Sequence, residues 1–257
     1  MTILDTVAER LDHAASTATA ISQLAEPLSL ADAYAVQAAS ISRRVGRGER
    51  RIGVKMGFTS RAKREQMGVG DVIWGRLTEA MLVEEGGELA LDRFIHPRIE
   101  PEIAFLLKAP LGPRVSGAEA LNAVAAIAPA LEIIDSRYRD FRFSLTDVVA
   151  DNASSSALVV GAWSCPTNAF ANLGMVMSRD GRAVEIGSSA AIMGHPLRAL
   201  VAAARVSAEG GEPLRAGDLV LAGAATAAMP LGPGQYVSLE IDRIGGCALV
   251  VGPGGTR

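Results

Sequence analysis

The chain has little of what several protein classes require. Two cysteines in 257 residues, Cys165 and Cys247, are too few for a disulfide framework or a thiolate metal cluster. The three histidines, His13, His96 and His195, stand far apart and show no ligand spacing. Basic charge is not in excess. Lys and Arg number 25 against 28 Asp and Glu, a formal charge of −3, so no whole-protein field exists to hold nucleic acid or anionic lipid. Unbroken apolar runs of membrane-spanning length are missing too. The two long uncharged stretches, 152–178 and 219–239, are interrupted by Gly161 and Pro166, and by Gly223, Pro230 and Gly232-Pro233-Gly234. Met1–Asp5 has no basic region leading into an apolar one, so no signal peptide is visible. Nucleotide-binding glycine fingerprints, a GxSxG elbow and HExxH are all absent, as are repeats and low-complexity tracts. These absences predict a cytoplasmic protein with neither nucleic-acid nor membrane partners.

What is present is globular. The composition is 49% apolar and 21% charged, and a chain of this length buries ~70–75% of its unfolded surface without metal or disulfide. Glycine is absent before Gly46, and the alanine-rich opening is helix-compatible over Ile3–Leu24. A second helix is expected from Ser29, an N-cap followed by Asp32. The charged joint Gly46-Arg47-Gly48-Glu49-Arg50-Arg51 marks a boundary, giving a helical subdomain over 1–50 and a mixed β domain over 51–257. Strands are expected at Ile52–Phe58, Ile99–Leu107, Leu219–Ala222, Tyr236–Ile241 and Cys247–Val251. Asp180-Gly181 signals a hairpin, and Pro196 opens a helix through Glu209, with His195 at its start. Helices do not alternate regularly with strands, so the class is α+β rather than a doubly wound parallel sheet.

Chemistry concentrates in three places. In Arg98-Ile99-Glu100-Pro101-Glu102-Ile103-Ala104-Phe105 the period of two sends Ile99, Ile103 and Phe105 to one face and Glu100 with Glu102 to the other. Paired carboxylates suit Mg²⁺ or Mn²⁺. The plainer alternative is a solvated edge strand, which Pro101 also fits. Glu132 stands alone inside Ala130-Leu131-Glu132-Ile133-Ile134. It either completes a three-acid cation site or pairs with Arg98, Arg137 or Arg139. Lys55, in an apolar strand, is either a buried acid–base group of depressed pKa or an edge charge that discourages aggregation. Asp151-Asn152-Ala153-Ser154-Ser155 either caps a helix or lines a pocket.

Taken in order, five motifs resemble the 2-oxopent-4-enoate hydratase and 4-oxalocrotonate decarboxylase group of the fumarylacetoacetate-hydrolase superfamily. They are Lys55-Met56-Gly57-Phe58-Thr59-Ser60, His96-Pro97-Arg98-Ile99-Glu100-Pro101-Glu102, Leu131–Arg137, Val149–Ser155 and Gly194-His195-Pro196-Leu197. The resemblance implies a mixed β-roll core with a helical N-terminal layer and a Mg²⁺ or Mn²⁺ cofactor. It implies metal ligands at Glu100, Glu102 and Glu132, a catalytic Lys55, and substrate contacts at Trp74, Asn152, Ser154, Ser155 and Thr226. Related hydratases carry an acid before the glycine of a Pro-Asp-x-Gly segment, where this chain has Val72-Ile73-Trp74-Gly75. That favours decarboxylation of a 2-oxo-enedioate, with Asp71 as the one nearby acid that keeps hydration open. A scaffold partner of the hydratase, without activity, is the third alternative. The resemblance also implies a homo-oligomer and a complex with the pathway hydratase.

Overall fold

The computed structural model describes residues 2–60, 64–65, 68–166 and 170–254. Helix α1 (Ile3–Ser16) starts from a capping box in which Thr2 and Asp5 satisfy each other's backbone amides. It stops well short of Leu24. Thr17 Oγ1 bonds back to the His13 carbonyl and Ala18 turns left-handed at φ 47°, which ends the helical ladder. Helix α2 (Leu30–Gly46) is capped by Ser29, as its sequence signals. Helices α3 (Gly117–Ala123) and α4 (Leu145–Ala150) are short and carry capping boxes at Ser116 and Ser144. Helix α5 (Pro196–Glu209) has proline in its first turn, and the His195 ring nitrogen accepts from Leu197 N–H.

Among the described residues, thirteen strands form two sheets. The larger contains β1 (Arg51–Gly57), β2 (Ile73–Thr78), β3 (Leu82–Val83), β5 (Arg98–Leu107), β6 (Val124–Ile134), β7 (Ser155–Val160), β10 (Leu219–Leu221) and β11 (Met229–Pro230). Its order is β2-β1-β10-β5-β6-β7-β3, with β11 also on β5; β1–β10 and β3–β7 are parallel and the rest antiparallel. The second contains β4 (Glu88–Leu89), β8 (Gly174–Arg179), β9 (Arg182–Ser188), β12 (Tyr236–Ile241) and β13 (Gly245–Val251), ordered β4-β13-β12-β8-β9. Asp180 and Gly181, at φ 52° and 76°, make the two-residue turn between β8 and β9.

Strands β5 and β1 are both interior, which removes the edge-strand alternatives for the acid pair and for Lys55. Proline is tolerated within β5 because β10 has ended at Leu221, opposite Ala104. Beyond it a loop lies alongside, and Ala225 N–H donates to the Pro101 carbonyl. Gly53 is required where β1 meets β10, since a Cβ there would lie 1.8 Å from the Leu219 carbonyl oxygen.

The two faces of the larger sheet bury different things. One packs Val54, Met56, Trp74, Ile99, Ile103, Phe105 and Ile133 against α5 and the inner face of the second sheet. Each such side chain contributes ~1.5–3 kcal/mol by burial. The other face carries a smaller cluster of Leu77, Ala104, Ala128, Ala130, Leu158 and Leu221, and the acids lie on this side. A third cluster joins α1 and α2 to Ile73, Tyr138, Val148 and Val149, so the helical layer is sealed onto the β structure. Among the described residues no helix is long and apolar enough to cross a membrane.

Candidate metal centre

Antiparallel pairing of β5 and β6 sets Glu100 directly opposite Glu132, and Glu102 opposite Ala130. All three carboxylates therefore project from one face, and one oxygen from each lies within 4.8 Å of the others. Glu102 and Glu132 are fully buried and Glu100 is 5% exposed. Lys55 reaches the same cluster from β1. Its Nζ is 2.9 Å from a Glu132 carboxylate oxygen and donates to the Ala153 carbonyl at 3.1 Å. Glu132 thus pairs with lysine rather than with Arg98, Arg137 or Arg139.

The remaining polar contacts fix the carboxylates. Ser155 Oγ donates to Glu132 at 2.9 Å, and Gly223 N–H donates to one oxygen of Glu102 at 2.7 Å. Gly223 sits at φ 104°, and a Cβ on it would lie 2.3 Å from Thr59 Oγ1. The other oxygen of Glu102 is buried with no hydrogen-bond partner.

Electrostatics follow from this packing. Desolvation, then the neighbouring Glu132 charge, drives the Glu102 pKa well above the usual carboxylate range. Desolvation also raises Glu132, opposed by Lys55. For Lys55, burial alone pulls downward, as the sequence reading expected, but Glu132, Glu102 and Glu100 together outweigh it and the pKa rises. Lys55 is a stable ammonium, not a depressed-pKa base. Three buried hard-oxygen donors and, among the described residues, an orphaned carboxylate oxygen on Glu102 are what a Mg²⁺-like or Mn²⁺-like cation would satisfy. On that test the residues fit such an ion.

The substrate-contact residues divide. Ser155 is in the cluster. Ser154 is adjacent, with its hydroxyl buried and lacking a hydrogen-bond partner. Asn152 is spent elsewhere: its side chain accepts from Arg76 N–H at 2.7 Å and donates to the Arg76 carbonyl at 2.9 Å, like an extra strand on β2. Trp74 corrects the sequence reading. In β2 it is Gly75 that pairs with Lys55, while Trp74 pairs with Met56 and points into the opposite core, stacked on Tyr34. Thr226 packs its methyl against Gly187 and bonds to Ala227. Asp71 is on the surface, ion-paired with Arg205 at 2.8 Å.

Sequence reasoning missed the contacts made by backbone. The Gly223 amide and Ala153 carbonyl leave no residue-type signature. Asn152, Ala153 and Ser154 are all left-handed, at φ 51°, 51° and 59°, a costly run that persists only if its surroundings over-determine it. Asn152 docks one side. On the other, Asp151 takes the Arg137 guanidinium and its backbone amide, and Asp135 N–H donates to the Ser154 carbonyl. The reward is that Ala153 and Ser155 face Lys55 and Glu132.

Comparison with known proteins agrees with this geometry. The model of the fumarylacetoacetate (FAA) hydrolase C-terminal family matches residues 45–251. A 4-oxalocrotonate decarboxylase from a Pseudomonas species is 59% identical over 241 residues, covering 93% of this chain and 94% of that protein. A TodF product hydratase from Pseudomonas putida is 40% identical, covering 83% and 81%. In three dimensions, 4-oxalocrotonate decarboxylase from Pseudomonas putida G7, solved with magnesium and adipate, superposes with a TM-score of 0.93 at 35% identity, over 96% of this chain and 97% of that one. With its two-sheet α+β architecture and buried carboxylate cluster, the chain belongs to the fumarylacetoacetate hydrolase family.

Proposed function

We propose that this chain is a divalent-metal-dependent carboxy-lyase that decarboxylates 4-oxalocrotonate (2-oxo-3-hexenedioate) to 2-hydroxypenta-2,4-dienoate and CO₂ in aromatic meta-cleavage catabolism. The observation that carries the reading is the buried Glu100–Glu102–Glu132 cluster with Lys55 bonded into it, in a chain 59% identical to a 4-oxalocrotonate decarboxylase. Glu100, Glu102 and Glu132 would hold Mg²⁺ or Mn²⁺. When bound, the cation supplies a Lewis acid for the C1 carboxylate and C2 oxo end of the substrate. Breaking the C5–C6 bond releases CO₂ and leaves its electron pair to spread along the conjugated chain to the C2 oxygen, which then gains a proton. Lys55 keeps an ammonium beside that end, held in direction by Glu132 and the Ala153 carbonyl. Ser155 fixes the rotamer of Glu132.

Hydration needs a water-activating acid in the segment before Gly75. The acid available there, Asp71, is turned out to Arg205, and this favours decarboxylase over hydratase. Residues 51–257 carry the chemistry in this reading, and residues 1–50 brace it. Gln37 of α2 donates to the Trp74 and Val149 carbonyls and accepts from Arg76. A cytoplasmic homo-oligomer, and a complex with the pathway hydratase, belong to the same proposal. Support for self-association is limited to exposed apolar side chains on one face of the second sheet, the cross-strand pair Tyr236 and Val250 and, two strands away, Ile186. The test is to follow CO₂ release and 4-hydroxy-2-oxo acid formation side by side, with Mg²⁺ and with a chelator. Hydroxy acid without CO₂ reassigns the chain as a hydratase, and no turnover at all leaves the scaffold alternative. Activity that survives chelation removes the metal.

A further inference from the structure

Arg98 begins β5 on the face that carries Glu100 and Glu102, by the same period of two, and pairs with Ile134 as Glu100 pairs with Glu132. It is one step, ~7 Å, along the strand from the first glutamate. Two other described arginines are committed elsewhere, Arg137 to Asp151 and Arg76 to Glu212. The Arg98 side chain makes no ion pair and no hydrogen bond with a described residue. Its guanidinium carbon lies 4.3 Å over the Phe141 ring, whose other contacts are His96 at 5.0 Å and Phe143 at 5.7 Å.

That stack is built at a cost. Asp140 and Phe141 are both left-handed, at φ 60° and 57°, a conformation that aspartate tolerates and a bulky aromatic residue avoids. The segment is pinned there by Ile21, which donates to the Arg137 carbonyl and accepts from Arg139 N–H. Strained backbone of this kind collects at ligand clamps. A guanidinium held over an aromatic face, half-buried and with no described partner for its N–H groups, is pre-organised to receive a planar carboxylate.

We propose that Arg98, presented by Phe141, is the subsite for the distal carboxylate of a six-carbon 2-oxo diacid, the end remote from the three glutamates. The inference rests on the decarboxylase reading and adds a specificity determinant to it. The distal carboxylate is the one that leaves, and it leaves as neutral CO₂. Arg98 therefore binds the ground state more strongly than the transition state, so it acts on KM and on the choice of diacid over monoacid rather than on kcat.

The test uses the Mn²⁺-loaded enzyme and two unreactive probes of equal length, 2-oxoadipate and 2-oxohexanoate, which differ only in the distal carboxylate. By titration calorimetry the wild type should prefer 2-oxoadipate by ~10-fold or more, the scale of a charge-assisted hydrogen-bonded pair. Arg98→Met should bind both alike, with 2-oxohexanoate and Mn²⁺ affinities unchanged. Its substrate KM should rise by a similar factor while kcat stays within a few-fold. Arg98→Lys should recover part of the preference. A preference that survives in Arg98→Met overturns the proposal. So does loss of both probes in both variants, which would make Arg98 part of the wall of the site. Wild type that prefers 2-oxoadipate yet releases no CO₂ sinks the decarboxylase reading and leaves the subsite standing. Wild type that releases CO₂ without any preference sinks the subsite alone.

Discussion

The Lys55 ammonium lies 2.9 Å from a Glu132 carboxylate oxygen, with the two side chains 4% and 0% exposed, so Glu132 has a counter-charge in direct contact. Glu102, equally buried, has a single backbone amide and one oxygen without a hydrogen bond. The three glutamates are therefore not equivalent before a cation binds.

Glutamine substitutions should expose the difference. Glu102→Gln removes a buried charge that lacks full compensation, so the metal-free variant should melt at or above the wild-type temperature. Glu132→Gln strips Lys55 of its partner and should lower metal-free stability by about 3 kcal/mol, the low end for breaking a buried pair because Glu102 and Glu100 also face the lysine. Both should lose most Mn²⁺ binding, read by calorimetry. Equal melting temperatures for the two variants would show that Lys55 does not distinguish the acids.

Proton linkage gives a second test. The Glu102 and Glu132 pKa values are raised by burial first and by acidic neighbours as well. A raised carboxyl binds more protons folded than unfolded, so its contribution to stability is complete below the ordinary carboxylate pKa and is lost as pH rises through the folded value. Metal-free protein should accordingly lose melting temperature on going from mildly acidic to alkaline pH. Saturating Mn²⁺ should flatten that slope. Because the ligands must be ionised to bind, Mn²⁺ uptake should release protons and tighten with rising pH. Titrations in two buffers of different ionisation enthalpy count those protons, and a count of zero would contradict the raised values.

The acids were legible because two carboxylates two residues apart in an apolar strand share a face, and because a lone Glu132 in a run of aliphatics has no local reason to be there. Sheet order was not legible. Pro101 and Lys55 each read locally as edge residues, yet β5 and β1 are interior, because which strands become neighbours is decided by contacts far apart in sequence. Trp74, placed at the substrate by resemblance alone, faces the opposite core. Its face depends on a register in which Gly75 meets Lys55, and nothing within 72–75 specifies that. Asn152 was legible as a polar residue near the site, but its commitment to the Arg76 backbone comes from the fold.

The left-handed turn 152–154 should behave as a positioning device. Asn152→Ala leaves the buried N–H and C=O of Arg76 without partners, at ~1–3 kcal/mol each, and frees the turn that aims the Ala153 carbonyl at Lys55. Turnover should fall while Mn²⁺ affinity stays near wild type, since none of the three carboxylates is touched. Ala153→Gly should do the reverse to stability. Glycine populates φ near +51° without the steric penalty of a Cβ, so the variant should gain about 1 kcal/mol. A destabilised Ala153→Gly would mean that the turn is not under strain.

Lys55 itself separates a counter-ion from a participant in the reaction. Its position on an interior strand excludes a role as an edge charge, and the surviving rival is that it merely balances the acids. Lys55→Met should lower metal-free stability by ~3–5 kcal/mol, because the fully buried Glu132 then loses the cation in contact with it. Mn²⁺ should restore most of that loss and bind at least as tightly as in wild type, since an ammonium no longer repels it. If balance were all, the Mn²⁺-saturated variant would turn over normally. If the ammonium acts on the substrate, kcat should still fall by ~10²-fold or more, the usual scale for a positioned acid–base group. Lys55→Arg should not rescue it. The slot is defined by Glu132 at 2.9 Å and the Ala153 carbonyl at 3.1 Å, and it fits a compact ammonium rather than a planar guanidinium. Near-normal kcat for the Mn²⁺-saturated Lys55→Met enzyme would return the lysine to a purely electrostatic role in holding the cluster together.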